Sequence, residues 1–119
     1  MPDLSFKLNT TITFSTYNLR ILEKAKAVFF RMGYDCIVTG GLEGNHMATS
    51  FHYRNMALDF RSTHIPADER EAVHKALCLE FGTAYPSGVG ANYDVFLEGK
   101  GTTYEHYHCE ADEKQRRGL

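Results

Sequence analysis

The sequence predicts an α+β fold: a small, mostly antiparallel sheet with two main helices packed on one of its faces. Three observations carry this. Two stretches repeat apolar residues at helical spacing. Several short stretches alternate apolar with polar residues, as strands do. Their order is strand, helix, two strands, helix, two strands, and the last pair reads as a hairpin.

Taken in order, Thr11 to Phe14 alternates threonine with apolar residues and reads as the first strand. Ser15 or Thr16 can cap the first helix. From Tyr17 to Met32, the residues Ile21, Leu22, Ala25, Val28, Phe29 and Met32 share one helical face, and Gly33 is a natural stop. Asp35 to Thr39 reads as a buried strand that Gly40-Gly41 ends. Residues 42–50 form a polar loop, and Met56 to Phe60 alternates as a short strand would. Pro66 opens the second helix, with Asp68 and Glu69 where the helix dipole favours negative charge. Ala72, Val73, Ala76, Leu77 and Phe81 make its apolar stripe, and Gly82 ends it. After a loop over 83–92, Tyr93 to Glu98 and Tyr104 to Cys109 are the closing strands, joined through Gly99-Lys100-Gly101. Glu110 to Leu119 is a charged, frayed tail.

At 119 residues the chain is one domain, with a core over about 10–110. A net charge of -2, with Arg116-Arg117 as the only basic cluster, does not suit a nucleic-acid backbone. The start of the chain lacks a signal-peptide pattern, and no stretch is apolar enough to span a bilayer. The expectation is a soluble product of the cytoplasm, a monomer rather than an oligomer. Cys36, Cys78 and Cys109 are too few and too scattered for a disulfide framework or a metal knuckle, and read as buried free thiols.

Chemistry concentrates in two places. Ser50-Phe51-His52-Tyr53-Arg54-Asn55-Met56-Ala57-Leu58-Asp59 brackets a turn with a histidine and an aspartate. Glu105-His106-Tyr107-His108 puts two imidazoles on one face of a strand. Imidazole nitrogen and carboxylate oxygen both suit zinc, and the three ligands His52, Asp59 and His108 leave a fourth position open for water. The same donors also describe a non-haem iron triad, although such sites favour a closer His-x-Asp pair in an all-β barrel. His64 on a loop and His74 on a helix surface are assigned no role.

The first stretch resembles the S-x-H-x-x-G-x-A-x-D signature of the D-Ala-D-Ala metallopeptidase and Hedgehog signalling-domain superfamily. The ending His106-Tyr107-His108-Cys109 is similar to the H-x-H that closes the site in several members. Together with His46, Asp94 and Glu98-Gly99-Lys100, the likeness runs over about residues 17–110. It implies a Hedgehog/D-Ala-D-Ala peptidase-like fold, with zinc held by His52, Asp59 and His108, and His106 beside the scissile carbonyl. Glu105, spaced from His108 as in dipeptidases and endolysins, is the first choice of general base. Glu98, which matches the Hedgehog glutamate, is its rival, and extended geometry would favour it.

Two departures stand out. Asn55 replaces the usual glycine, and Thr39-Gly40-Gly41-Leu42 lacks an arginine with which many members grip a terminal carboxylate. The second favours an endopeptidase over a carboxypeptidase, unless Arg54 or Arg61 takes that arginine's place. The expected function is therefore a zinc metallopeptidase that cleaves peptidoglycan stem peptides through a zinc-activated water and a glutamate base. A phage-encoded endolysin released to the cell wall would fit so bare a build. The alternatives are a Hedgehog-like binding module that holds zinc without catalysis, and a metal-free structural domain.

Overall fold

A computed structural model describes residues 1–12, 15–41 and 56–112. It is an α+β fold with a five-stranded mixed sheet and two helices. The strands are β1 (Leu4–Phe6), β2 (Cys36–Gly40), β3 (Ala57–Arg61), β4 (Tyr93–Glu98) and β5 (His106–Ala111). The helices are α1 (Thr16–Arg31) and α2 (Arg70–Phe81), the latter preceded by a 3-10 turn over Ala67–Glu69. The sheet order is β1-β2-β3-β5-β4. β1 runs parallel to β2, and the other three neighbouring pairs are antiparallel.

α1 begins and α2 ends where local chemistry dictates. The Ser15 hydroxyl accepts a hydrogen bond from the Asn18 amide and caps α1. Gly82 sits in the left-handed region, at φ 74°, and its amide closes the last turn of α2. The apolar stripes of both helices cover one face of the sheet. Val38, Leu58, Phe60, Val95, Tyr107 and Cys109 meet Ile21, Val28, Phe29, Val73 and Leu77 there in one core. Phe29 is central, with ring centroids 5.9 Å from both Phe60 and Tyr107. Burying each such side chain contributes about 1.5–3 kcal/mol.

Strand alternation leaves the second face to other residues. β5 buries Tyr107, Cys109 and Ala111 under the helices, so His106, His108 and Glu110 emerge on the opposite, open side. On β3, Leu58 and Phe60 go inward while Asp59 and Arg61 face out.

Several expectations change. Thr11 and Ile12 are irregular rather than strand, and residues 13–14 lie outside the described ones. The first strand is instead Leu4–Phe6, a three-residue edge whose parallel pairing makes the sheet mixed. So short a segment shows too little alternation to be read from sequence. The tail begins later than expected, since Glu110 and Ala111 belong to β5 and pair with Asp94 and Tyr93. His74 is buried, not on a helix surface: its Nε2 donates to the Val95 carbonyl at 2.9 Å. All three thiols are free and buried, and burial pushes Cys36 up to about 12. No helix among the described residues is long and apolar enough to cross a membrane.

Candidate metal centre

The open face gathers titratable groups from three adjacent strands. Register sets Asp59 of β3 opposite His108 of β5, and Phe96 of β4 opposite the same histidine. Two residues along, Arg61, His106 and Glu98 form the next row. His108 Nδ1 lies 2.9 Å from Asp59 Oδ1 and 3.9 Å from Glu98 Oε1. Its Nε2 lies 2.8 Å from Glu110 Oε1. His106 Nε2 donates to Glu98 Oε1 at 3.0 Å and lies 3.8 Å from Asp59 Oδ1. Its Nδ1 donates to the Tyr104 carbonyl at 2.8 Å, which fixes the ring.

Gly40 makes room for the aspartate. The register of β2 against β3 slips there, so that Gly40 faces Asp59. A Cβ on Gly40 would stand 2.6 Å from Asp59 Oδ2 and 3.1 Å from its Cγ. The carboxylate thus lies over bare backbone.

Electrostatics follow from this crowding. Burial works against a charged His108, but the Asp59 and Glu110 carboxylates outweigh it and raise the imidazole to about 10. The Glu98 hydrogen bond is the main cause that raises His106. The same contact lowers Glu98 against the opposing effect of burial, so Glu98 is ionised at neutral pH.

The donor set could hold a metal ion. Asp59, Glu98 and His108 each offer one ligand atom, and these atoms lie within 4.8 Å of one another. His108 presents Nδ1 to that space. Its Nε2–H is held by Glu110, an arrangement that orients a metal-bound histidine. Asp94, Glu110 and Asp112 bring a second trio of carboxylate oxygens equally close together behind it.

Only some of the sequence-predicted residues meet. Asp59, His106, His108 and Glu98 come together. His52, the third expected ligand, lies outside the described residues, as do His46, Ser50, Tyr53 and Asn55. Glu105 is not with them. One position before His106, it turns to the opposite side. There it accepts hydrogen bonds from the Ser62 hydroxyl at 2.6 Å, the Gly101 amide at 3.1 Å and Arg70 at 3.3 Å. Sequence reasoning missed Glu110 and Gly40. The two-residue spacing from His108 to Glu110 could have found the first, had the strand not been ended at Cys109.

A cleft of about 360 Å³ opens beside the centre, with Asp59 and His106 in its wall. Compared with models of known protein families and with curated proteins, the chain gives no match.

Proposed function

We propose that this protein is a zinc metallopeptidase of the D-Ala-D-Ala peptidase and Hedgehog type that cleaves peptide bonds in peptidoglycan stem peptides. The observation that carries the reading is the convergence of Asp59, His108, Glu98 and His106 on one open sheet face beside a cleft. Asp59 and His108 would hold the ion, with His52 as the third ligand. Zinc supplies Lewis acidity at neutral pH when bound. Glu98, ionised and partly exposed, is the group placed to take a proton from attacking water and to return it to the leaving amine. His106, its ring steadied by Tyr104, would turn its Nε2–H from Glu98 to the oxyanion that develops on the scissile carbonyl. Glu105 serves the fold rather than the reaction, because its carboxylate is spent on Ser62, Gly101 and Arg70.

A second reading has its own support. Glu98 lies near enough to Asp59 and His108 to be a ligand itself. A centre closed by His52, Asp59, His108 and Glu98 would bind zinc without a free base, as a non-catalytic Hedgehog-like module would.

Elemental analysis and digestion of stem peptides separate these readings. The expected result is about one zinc per chain, lost in His108→Ala. Glu98→Gln should keep the zinc and lose at least about a hundredfold in kcat. Zinc lost with Glu98→Gln, and no digestion by the wild type, would establish the closed centre. A protein that takes up no zinc would end both readings.

A further inference from the structure

β1 closes one end of the sheet and has β2 on one side only. Its own pairing shows which backbone groups remain. The Asp3 carbonyl accepts from the Cys36 amide at 2.9 Å, and the Lys7 amide donates to the Val38 carbonyl at 2.8 Å. Odd-numbered residues therefore turn their backbone groups toward β2, and Leu4 and Phe6 turn theirs outward. Among the described residues, nothing pairs with those outward groups. An edge of this kind is a template for another strand.

The usable stretch is bounded. Beyond Lys7 the chain turns: the Thr10 amide donates to the Lys7 carbonyl, and Asn9 adopts a φ of 68°. What an incoming strand can use is Asp3 to Lys7, centred on Ser5. The side chains are symmetric in chemistry about that centre. Opposite charges stand at the two ends, with Leu4 and Phe6 inside them. Alternation puts Asp3, Ser5 and Lys7 on the open face of the sheet, and Leu4 and Phe6 on the helix face. Lys7 accordingly lines the cleft, and Leu4 packs against the core. Phe6 remains 45% exposed. Among the described residues, neither the Asp3 carboxylate nor the Lys7 ammonium has a partner.

A second copy of the chain, laid antiparallel about Ser5, answers all of these groups at once. Leu4 faces Phe6 of the second copy, and the two exchange both backbone hydrogen bonds. Their side chains meet as an apolar–aromatic pair. Asp3 faces Lys7 of the second copy in a non-hydrogen-bonded pair, where side chains come closest. Symmetry repeats each contact. Other registers are poorer. Moved one way, the ladder sets Lys7 against Ser5 and draws in Leu8, which lies in the turn. Moved the other way, it sets Phe6 against Pro2, which has no amide to give.

We infer that two copies of this chain associate through β1, antiparallel about Ser5, and join their five-stranded sheets into one. A two-fold axis through Ser5 stands perpendicular to the sheet, so both candidate metal centres open on the same face. Asp3 of each copy then borders the other copy's cleft, beside Lys7. The contact is small, and the dimer is a weak one that forms with concentration, in place of the monomer expected from the sequence.

Sedimentation velocity of the full chain up to about 1 mM follows the association, with amide exchange by NMR beside it. The wild type should dimerise. The Leu4 and Phe6 amides should gain protection as concentration rises, whereas that of Ser5, which already faces β2, should not. Asp3→Lys and Lys7→Asp each set like charges opposite one another and should weaken association at least about tenfold. A one-to-one mixture of the two variants restores both charge pairs and should dimerise again. The double variant Asp3→Lys/Lys7→Asp should do so by itself. Both positions are exposed, and circular dichroism checks that each variant is folded. A wild type that stays monomeric overturns the inference. So does a dimer that survives both single substitutions, or a mixture and a double variant that remain monomeric while folded.

Discussion

His108 carries more of the centre's geometry than any other residue. It is gripped from both ring nitrogens, by Asp59 at 2.9 Å and Glu110 at 2.8 Å. A metal ion would replace the Nδ1 proton and leave the Nε2–H on Glu110. Partners of that kind fix the tautomer and orientation of a ligating imidazole. Glu110→Ala should therefore weaken zinc binding about 10–100-fold with the fold intact, measured by competition against a chromophoric chelator. Unchanged affinity would mean that β5 alone orients His108. Glu98 and Glu105 are a contrasting pair. They are near His108 in sequence, yet one meets it and the other stands on the far side of the strand. Glu105 ahead of β5 has the expected spacing, but strand alternation, not spacing, decides which side a carboxylate occupies.

At the scale of elements, the strands carry the chemistry and the helices hold it flat. β3, β5 and β4 supply every described member of the centre, and their inner faces are anchored by α1 and α2. Helix ends should then matter to stability and not to metal binding. Ser15→Ala removes the side-chain cap of α1 and should cost about 1 kcal/mol. Gly82→Ala meets no atom within 4 Å, yet it forces a side chain into φ 74° and should cost about 1–2 kcal/mol. Urea denaturation beside zinc analysis checks both, and a loss of zinc in either folded variant would contradict this division of labour. The edge strand β1 has a different importance. Three residues long and paired on one side only, it adds little core, but it brings Lys7 to the cleft.

Across the whole molecule, Glu105 ties the turn before β5 to the end of β3 and the start of α2, through Gly101, Ser62 and Arg70. Burial raises its pKa, but these partners outweigh it and the carboxylate is held below its ordinary value. A depressed folded pKa contributes stability above the unfolded value of about 4.3, and that stability is lost as pH falls through the folded value. Glu105→Gln should cost about 2 kcal/mol at pH 7 and progressively less below about pH 4. A gap between variant and wild type that stays constant with pH would show that ionisation of Glu105 contributes nothing. Much of this architecture is legible in the sequence. Both helices and their glycine stops, β4 to the residue, and the shared face of His106 and His108 follow from periodicity, because a side chain's direction within one element depends only on its own backbone. The parallel edge strand β1, the burial of His74, and the hold of Glu110 on His108 do not, since each depends on which element lies alongside. The same holds for Gly40, whose missing Cβ matters only because β3 passes with Asp59 at that register. Sequence thus determined which residue types share a face, through local periodicity. Contact between strands distant along the chain decided which of them meet, because hydrogen-bond register and the packing of the two helices set the distances between their side chains.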